Sequence, residues 1–210
     1  MSKEKVMTRA LIVIAHPDLR SLSHSVAAEV GDALTDGGVS SEVADLAAEK
    51  FDPRFNAGDR SAYRRGAAVP GDVAAEQKRL DRVQHLILVF PVYWWSMPAL
   101  LKGWIDRVFV NGWAFDQPEG GPLTPKLQRL TIHLVPIAGG DADDYQRHGY
   151  GTSLSTQIEH GIVDFCGARR GSTRYLYDSE TKTATALAEE TKQLAQNIAQ
   201  AITTADRLPV

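Results

Sequence analysis

The chain has 210 residues and only one cysteine, Cys166. No internal disulfide can form, and a reducing, cytoplasmic setting is expected. Cys166 closes the apolar stretch Ile162 to Cys166 and reads as core filling. Long hydrophobic runs are missing too. After the polar segment Met1 to Arg9, the apolar run Ala10 to Ala15 is too short for a signal-peptide core or a membrane span, so no membrane insertion is expected. Neither sign of charge dominates: Lys plus Arg number 23 against 26 for Asp plus Glu, a net charge of −3. A nucleic-acid partner is therefore not expected. No G-x-G-x-x-G follows the first apolar run and no G-x-x-x-x-G-K-[ST] occurs, which removes most support for Rossmann and P-loop nucleotide binding. No H-x-x-H or H-E-x-x-H pair supplies a tetrahedral site, and no metal is expected. What remains is 43% hydrophobic and 23% charged. That balance suits a globular chain able to bury a sizeable core, read as one domain over residues 1–210.

Hydrophobic patterning gives the organisation. Ala10 to Ala15 is continuously apolar and stops at His16-Pro17, the mark of a strand covered on both faces that opens into a loop. Val26, Val30, Ala33 and Leu34 follow at helical spacing, ended by Gly37-Gly38. Ser40 to Asp45 is a weaker strand, and the stretch from there to Gly71 reads as irregular. Val73 to Val83 is helical, and His85 to Pro91 repeats the buried-run signature. Pro98 begins a helix with an apolar face at Leu100, Leu101, Trp104, Ile105 and Val108. Asn111 to Lys126, rich in Gly and Pro, reads as a long surface excursion. A strand at Leu130 to Val135, a helix over Ser153 to Cys166, a short strand at Ser172 to Tyr177 and a closing helix through Leu187 to Ile202 complete the chain.

Alternating strands and helices make a parallel sheet with helices on both faces, because each parallel connection is a right-handed crossover. For five strands the expected architecture is α/β, a flavodoxin-like three-layer sandwich of order 2-1-3-4-5, with ligands beyond the carboxyl ends of the central strands. Three loops then carry the function. His16 to His24 places hydroxyls and an imidazole ahead of a helix whose free amides attract an anion. Charge-assisted bonds there contribute roughly 1.5–3 kcal/mol each, so a phosphate could be held without lysine; equally, Ser23 could simply cap the helix. Pro91 to Met97 presents Tyr93, Trp94 and Trp95, flat surface for a planar cofactor, whereas Trp104 reads as core. The third loop offers Gly139-Gly140, then Tyr145 and His148, which could act together on a proton or simply lie in solvent.

Ala15-His16-Pro17, Ser21-Leu22-Ser23, the block Phe90 to Val108 and Gly112-Trp113-Ala114-Phe115 together resemble the flavodoxin-like NAD(P)H:quinone oxidoreductases. The resemblance runs from the first strand to the Tyr145 loop and fades after about Gly151. It implies a tightly bound, non-covalent FMN or FAD, NADH or NADPH as electron donor, a quinone or similar planar acceptor, and a homodimer with its site at the subunit interface. Residue by residue, His16, Ser21, Leu22 and Ser23 match the phosphate-binding segment, and Pro91, Val92, Tyr93, Trp94 and Trp95 match the loop along the flavin edge. The segment Ile137, Gly139 and Gly140 matches the second flavin loop, where Ile137-Ala138 stand in place of two threonines and leave backbone bonds only. Tyr145 matches a tyrosine lying over the flavin in some members, and His148 stands closer to it than their partnering histidine.

The implied reaction is a ping-pong hydride transfer in which the nicotinamide and the quinone use one stacking site in turn. Three rivals compete with it. Ala15-His16-Pro17-Asp18 also begins the metal motif of zinc-dependent N-acetylglucosaminyl deacetylases, but Leu19 replaces its second aspartate. Ancillary subunits of glutathione-gated potassium efflux systems share the Trp-rich block, so transporter docking is an alternative duty. A flavodoxin-type electron carrier fits less well, since His16 to Ser23 lacks the Ser/Thr-Gly-rich phosphate loop.

Overall fold

A computed structural model describes residues 9–205. Five parallel strands, β1 (Arg9–Ile14), β2 (Ser40–Asp45), β3 (His85–Pro91), β6 (Thr131–Ile137) and β7 (Arg169–Thr173), form one sheet in the order β2-β1-β3-β6-β7. Counted along the sheet, this is the expected 2-1-3-4-5. The remaining strands, β4 (Phe115–Asp116) and β5 (Thr124–Pro125), form a small antiparallel ladder of their own.

The unbroken apolar runs become the inner strands because both of their faces are covered. Alternate side chains divide between two cores. On one face, Leu11, Val13, Leu86, Leu88 and Phe90 pack with Leu101, Trp104 and Val108 of α4 (Ala99–Val108), Leu80 of α3 (Gly71–Leu80), and Ile158 and Val163 of a π-helical stretch, Thr156–Asp164. On the other, Ile12, Ile14, Ile87 and Val89 pack with Val26, Val30 and Leu34 of α1 (Leu22–Asp36) and with Leu194, Ile198 and Ile202 of α7 (Ala184–Ala205). Trp104 is core, as expected, and its Nε1 donates to Glu76 Oε2 at 2.9 Å. Cys166 is buried, and burial pushes its thiol up to about 11, so it remains an inert thiol at neutral pH.

Four expectations are corrected. The stretch before Gly71 contains helix α2 (Ala57–Tyr63), started by a capping box: Asn56 Oδ1 accepts from the Gly58 and Asp59 amides while Asp59 Oδ2 accepts from the Asn56 amide. Asn111 to Lys126 is not only surface, since Ala114 and Phe115 enter the core and the Lys126 amide donates to Ala114 and Cys166 carbonyls. The helix expected over Ser153 to Cys166 begins earlier, as α6 (Tyr150–Ser155), and continues in π geometry. The last strand lies at Arg169–Thr173 rather than Ser172 to Tyr177. Pro136 gives the reason. Along this ladder Arg174 N donates to Leu134 O and Leu176 N to Pro136 O. The return bond, from residue 136 to Arg174 O, needs an N–H that proline lacks. Regular pairing lapses after Thr173 and returns only as the isolated bridge Ile137↔Leu176.

Candidate active site

The loops after β1, β3 and β6 lie side by side because those strands are neighbours. Between the second and third is a cleft of about 410 Å³, walled by Val92, Trp94 and Trp95 on one side and by Gly139, Gly140, Asp144, Tyr145, His148 and Tyr150 on the other.

The aromatic loop owes its shape to a tight turn. Tyr93 N donates to Ser96 O and Ser96 N to Tyr93 O, both at 3.1 Å, while Trp94 and Trp95 sit at φ 49° and 57°. Positive φ at both central residues is the signature of a type I′ turn, which Asn and Gly adopt readily and tryptophan at a cost of about 1–2 kcal/mol. The turn throws Trp94 into solvent, 87% exposed, and leaves its two central amides unpaired. Trp94→Asn should therefore raise the urea midpoint, by about 1 kcal/mol of stability, while stripping the cleft of one wall. A midpoint equal to or below that of the wild type would show that the conformation carries no such cost.

The third loop is built differently. Val92 N donates to Ile137 O, Ala138 N to Leu176 O, Ser179 N to Ala138 O and Asp178 N to Gly140 O. Ile137 sends its side chain into the core, so its part in the loop is the carbonyl that aligns Val92. Helix α5 (Ala142–His148) follows, capped by Asp141 and closed by Gly149 in the left-handed conformation, φ 70°. This helix lies within a segment expected to be a loop. It buries Tyr145 to 6% exposure, with Tyr150, Tyr175 and Tyr177 edge-on to its ring at 5.2–5.7 Å. Burial, reinforced by Tyr177 and Tyr150, pushes the Tyr145 phenol up to about 12. At neutral pH it is a hydrogen-bond donor and not a base.

Tyr145 and His148 do not pair directly. Tyr150, which the sequence reading did not single out, joins them: it stacks on Trp95 at 4.3 Å and 26° and on His148 at 5.2 Å and 21°. The signal was an aromatic immediately after a capping glycine.

In the first loop, Ser21 caps α1 and His16 Nδ1 accepts from the Asp18 amide at 3.0 Å. Ser23 is buried, while Leu22 packs its side chain toward the α1 and α7 core, leaving its amide to face the loop. The first amides of a helix have no intrahelical partner. Among the described residues, none of the amides of Leu22, Ser23, Trp94, Trp95, Gly139 and Gly140 has a protein acceptor. Six open donors on three adjacent loops, with a flat aromatic cleft at one end and a helix N-terminus at the other, fit a planar ring carrying a phosphorylated tail.

Comparison with known proteins agrees. The model of a family described as having a flavodoxin-like fold matches residues 8–198. Ribosyldihydronicotinamide dehydrogenase (quinone) of Pongo abelii is 33% identical over 182 residues, covering 76% of this chain and 77% of that one. The chain belongs to the flavodoxin-like NAD(P)H:quinone oxidoreductase family. Within solved structures, NAD(P)H:quinone oxidoreductase from Methanothermobacter marburgensis superposes with a TM-score of 0.83 at 23% identity, covering 93% of this chain and 99% of that one. General stress protein 14 of Treponema denticola, in complex with FMN, superposes with a TM-score of 0.62 at 24% identity, covering 94% and 98%. Against the oxidoreductase family's pattern, the Ile137-Ala138 pair has a local counterpart here. The Ala138 backbone is taken up on both sides by Leu176 and Ser179, so only the two glycine amides that follow remain open.

Proposed function

We propose that this chain is a flavin-dependent NAD(P)H dehydrogenase that reduces quinones by two-electron transfer. The observation that carries the reading is the run of six unpaired amides across three neighbouring loops, ending at the Trp94–Tyr150 cleft. FMN or FAD held there would supply the hydride-transfer chemistry that links NADH or NADPH to the acceptor. The Leu22 and Ser23 amides, with the Ser21 and His16 side chains, hold the phosphate at the N-terminus of α1. Pro91 to Trp95 frame the ring, and the Gly139 and Gly140 amides donate to its polar edge. The Tyr145 phenol, kept protonated by its surroundings, stabilises negative charge as a donor, and His148 and Tyr150 shape the wall beside it. One cleft serves donor and acceptor by turns. The exposed rings of Tyr93 and Trp94 support a second copy of the chain as their cover, and the single buried thiol supports a cytoplasmic setting.

Purified protein reconstituted with FMN or FAD should be yellow and, without oxygen, should turn over NADH or NADPH beyond one equivalent per flavin only when a quinone is supplied. Tyr145→Phe should retain the flavin and lose about 10- to 100-fold in kcat. Protein that stays colourless after reconstitution would overturn the assignment.

A further inference from the structure

Beside the phosphate-binding segment lies a hydrogen-bonded chain that the reading above leaves without a role. Asp45 ends β2, and its Oδ1 accepts from the Ala47 and Ala48 amides at 3.1 Å each. Its Oδ2 stands 2.8 Å from His24 Nε2, and His24 Nδ1 stands 2.8 Å from Ser21 Oγ. The His24 and Asp45 side chains are each only 16% exposed. Burial works to raise the Asp45 carboxyl, but the His24 ring and the two amides outweigh it and hold the group below the usual range. Asp45 is therefore ionised near neutral pH. An ionised carboxylate only accepts, so the proton on His24 Nε2 is fixed in place.

With Nε2 committed, the state of Nδ1 decides what Ser21 can do. A neutral ring accepts the Ser21 hydroxyl hydrogen, which then points away from the open amides of Leu22 and Ser23. A protonated ring donates Nδ1–H to Ser21 Oγ instead. The hydroxyl hydrogen is then free to turn toward an anion at the helix N-terminus, and a positive charge stands behind it on the ring bonded to the same oxygen. We infer that His24 is a positioning residue for the cofactor's phosphate, taking one proton from solvent as the phosphate binds and thereby turning Ser21 into a donor. The inference rests on the reading of the α1 N-terminus as the phosphate holder. Asp45 faces the ring from β2. From the preceding loop the ring meets His16, edge-on at 6.4 Å, whose Nδ1 already accepts from Asp18. Asp18 and Arg20 also lie in that loop, as an exposed pair 3.8 Å apart that solvent screens.

The test measures dissociation constants for FMN and for riboflavin, which lacks the phosphate, from about pH 6 to about pH 9. For the wild-type protein, FMN binding should weaken with rising pH by up to about tenfold per unit, and riboflavin binding should not. In His24→Gln, whose amide can donate at every pH, this component should vanish, and in Asp45→Asn it should move to lower pH. The titration of the FMN phosphate itself is common to both proteins and cancels in the ratio of wild type to variant. A ratio that stays constant across the range overturns the inference while leaving flavin binding intact. Wild-type protein that binds none of FMN, riboflavin and FAD overturns the cofactor reading and the inference with it. Nitrogen NMR of the wild-type imidazoles needs no variant. His24 should carry its proton on Nε2 without FMN at high pH and on both nitrogens in the FMN complex, and a ring that stays neutral in that complex also overturns the inference.

Discussion

Arg107→Ala should destabilise the fold by about 3–5 kcal/mol, read as a large fall in the urea midpoint at neutral pH. Arg107 lies on α4 and is 2% exposed. Its Nε donates to Asp59 Oδ2 at 2.9 Å, its Nη1 to Asp72 Oδ2 at 2.6 Å and to the Asp52 carbonyl at 2.8 Å, and the guanidinium lies over Phe51. Asp59 is more buried still, and its Oδ1 has no hydrogen-bond partner among the described residues. Without the guanidinium, a carboxylate sealed at the start of α2 has no counter-charge. The fork also ties α2, α3 and α4 together beside Gly103, where a Cβ would meet the Pro53 carbonyl oxygen at 2.2 Å. Arg107→Lys should recover only part of the loss, because an ammonium cannot reach both carboxylates and the carbonyl in one plane. Removing both partners, Arg107→Met with Asp59→Leu, should be far milder than Arg107→Ala alone. A single-variant loss below about 1 kcal/mol would show that this ion cluster contributes no more than a surface pair.

Acid should weaken the fold well above the carboxylate range, through a pair of histidines at the far end of the sheet from the cleft. His85 on β3 and His133 on β6 are both buried, with His85 Nδ1 3.1 Å from His133 Nε2. His133 Nδ1 accepts from the Ser172 amide at 3.0 Å, so its proton sits on Nε2 and is donated to His85. A second proton would break the bond to Ser172 and place a cation in the core. Burial, with His85 beside it, pushes the His133 imidazole down to about 3 from an ordinary 6.5. Between those values the unfolded chain binds the proton and the folded chain does not. The stabilising contribution is therefore complete above about pH 6.5 and is lost as pH falls, at up to about 1.4 kcal/mol per unit. Urea titrations at a series of pH values should show this slope. His133→Asn, whose amide oxygen can still accept from Ser172 and does not titrate, should flatten it. A variant with the wild-type slope would assign the acid sensitivity to other groups.

Where sequence and structure agree, one local rule acts alone. The runs Ala10 to Ala15 and Leu86 to Pro91 read as inner strands because they are too short for a buried helix, are rich in Ile, Leu and Val, and stop at proline. Glycine and proline marked the ends of α1 and the start of α4 for equally local reasons. The differences arise where a long-range partner decides. Helix α2 has few apolar residues, and its stability comes from a capping box and from Arg107, 48 positions away. The shift of β7 depends on an amide missing from Pro136 in the neighbouring strand. At the cleft, the Trp-rich loop was legible because three aromatics at a strand end have few other uses. Tyr150 was not, because its importance lies in the ring it stacks on, 55 positions earlier. His24 and Asp45 were passed over for the same reason: each is an ordinary polar residue until β1 and β2 are paired.

The brevity of β7 also bears on how these molecules behave when crowded. An edge strand that is long, flat and apolar invites a neighbouring chain to add itself to the sheet. Here the outer strand has five residues, starts with Arg169 and Arg170, and is followed by Arg174 just where its ladder lapses. The three arginines charge the rim, and a ladder that shifts register between Ile132 and Leu134 and lapses beside Pro136 keeps it irregular, a poor template for the strand-on-strand growth that seeds fibrils.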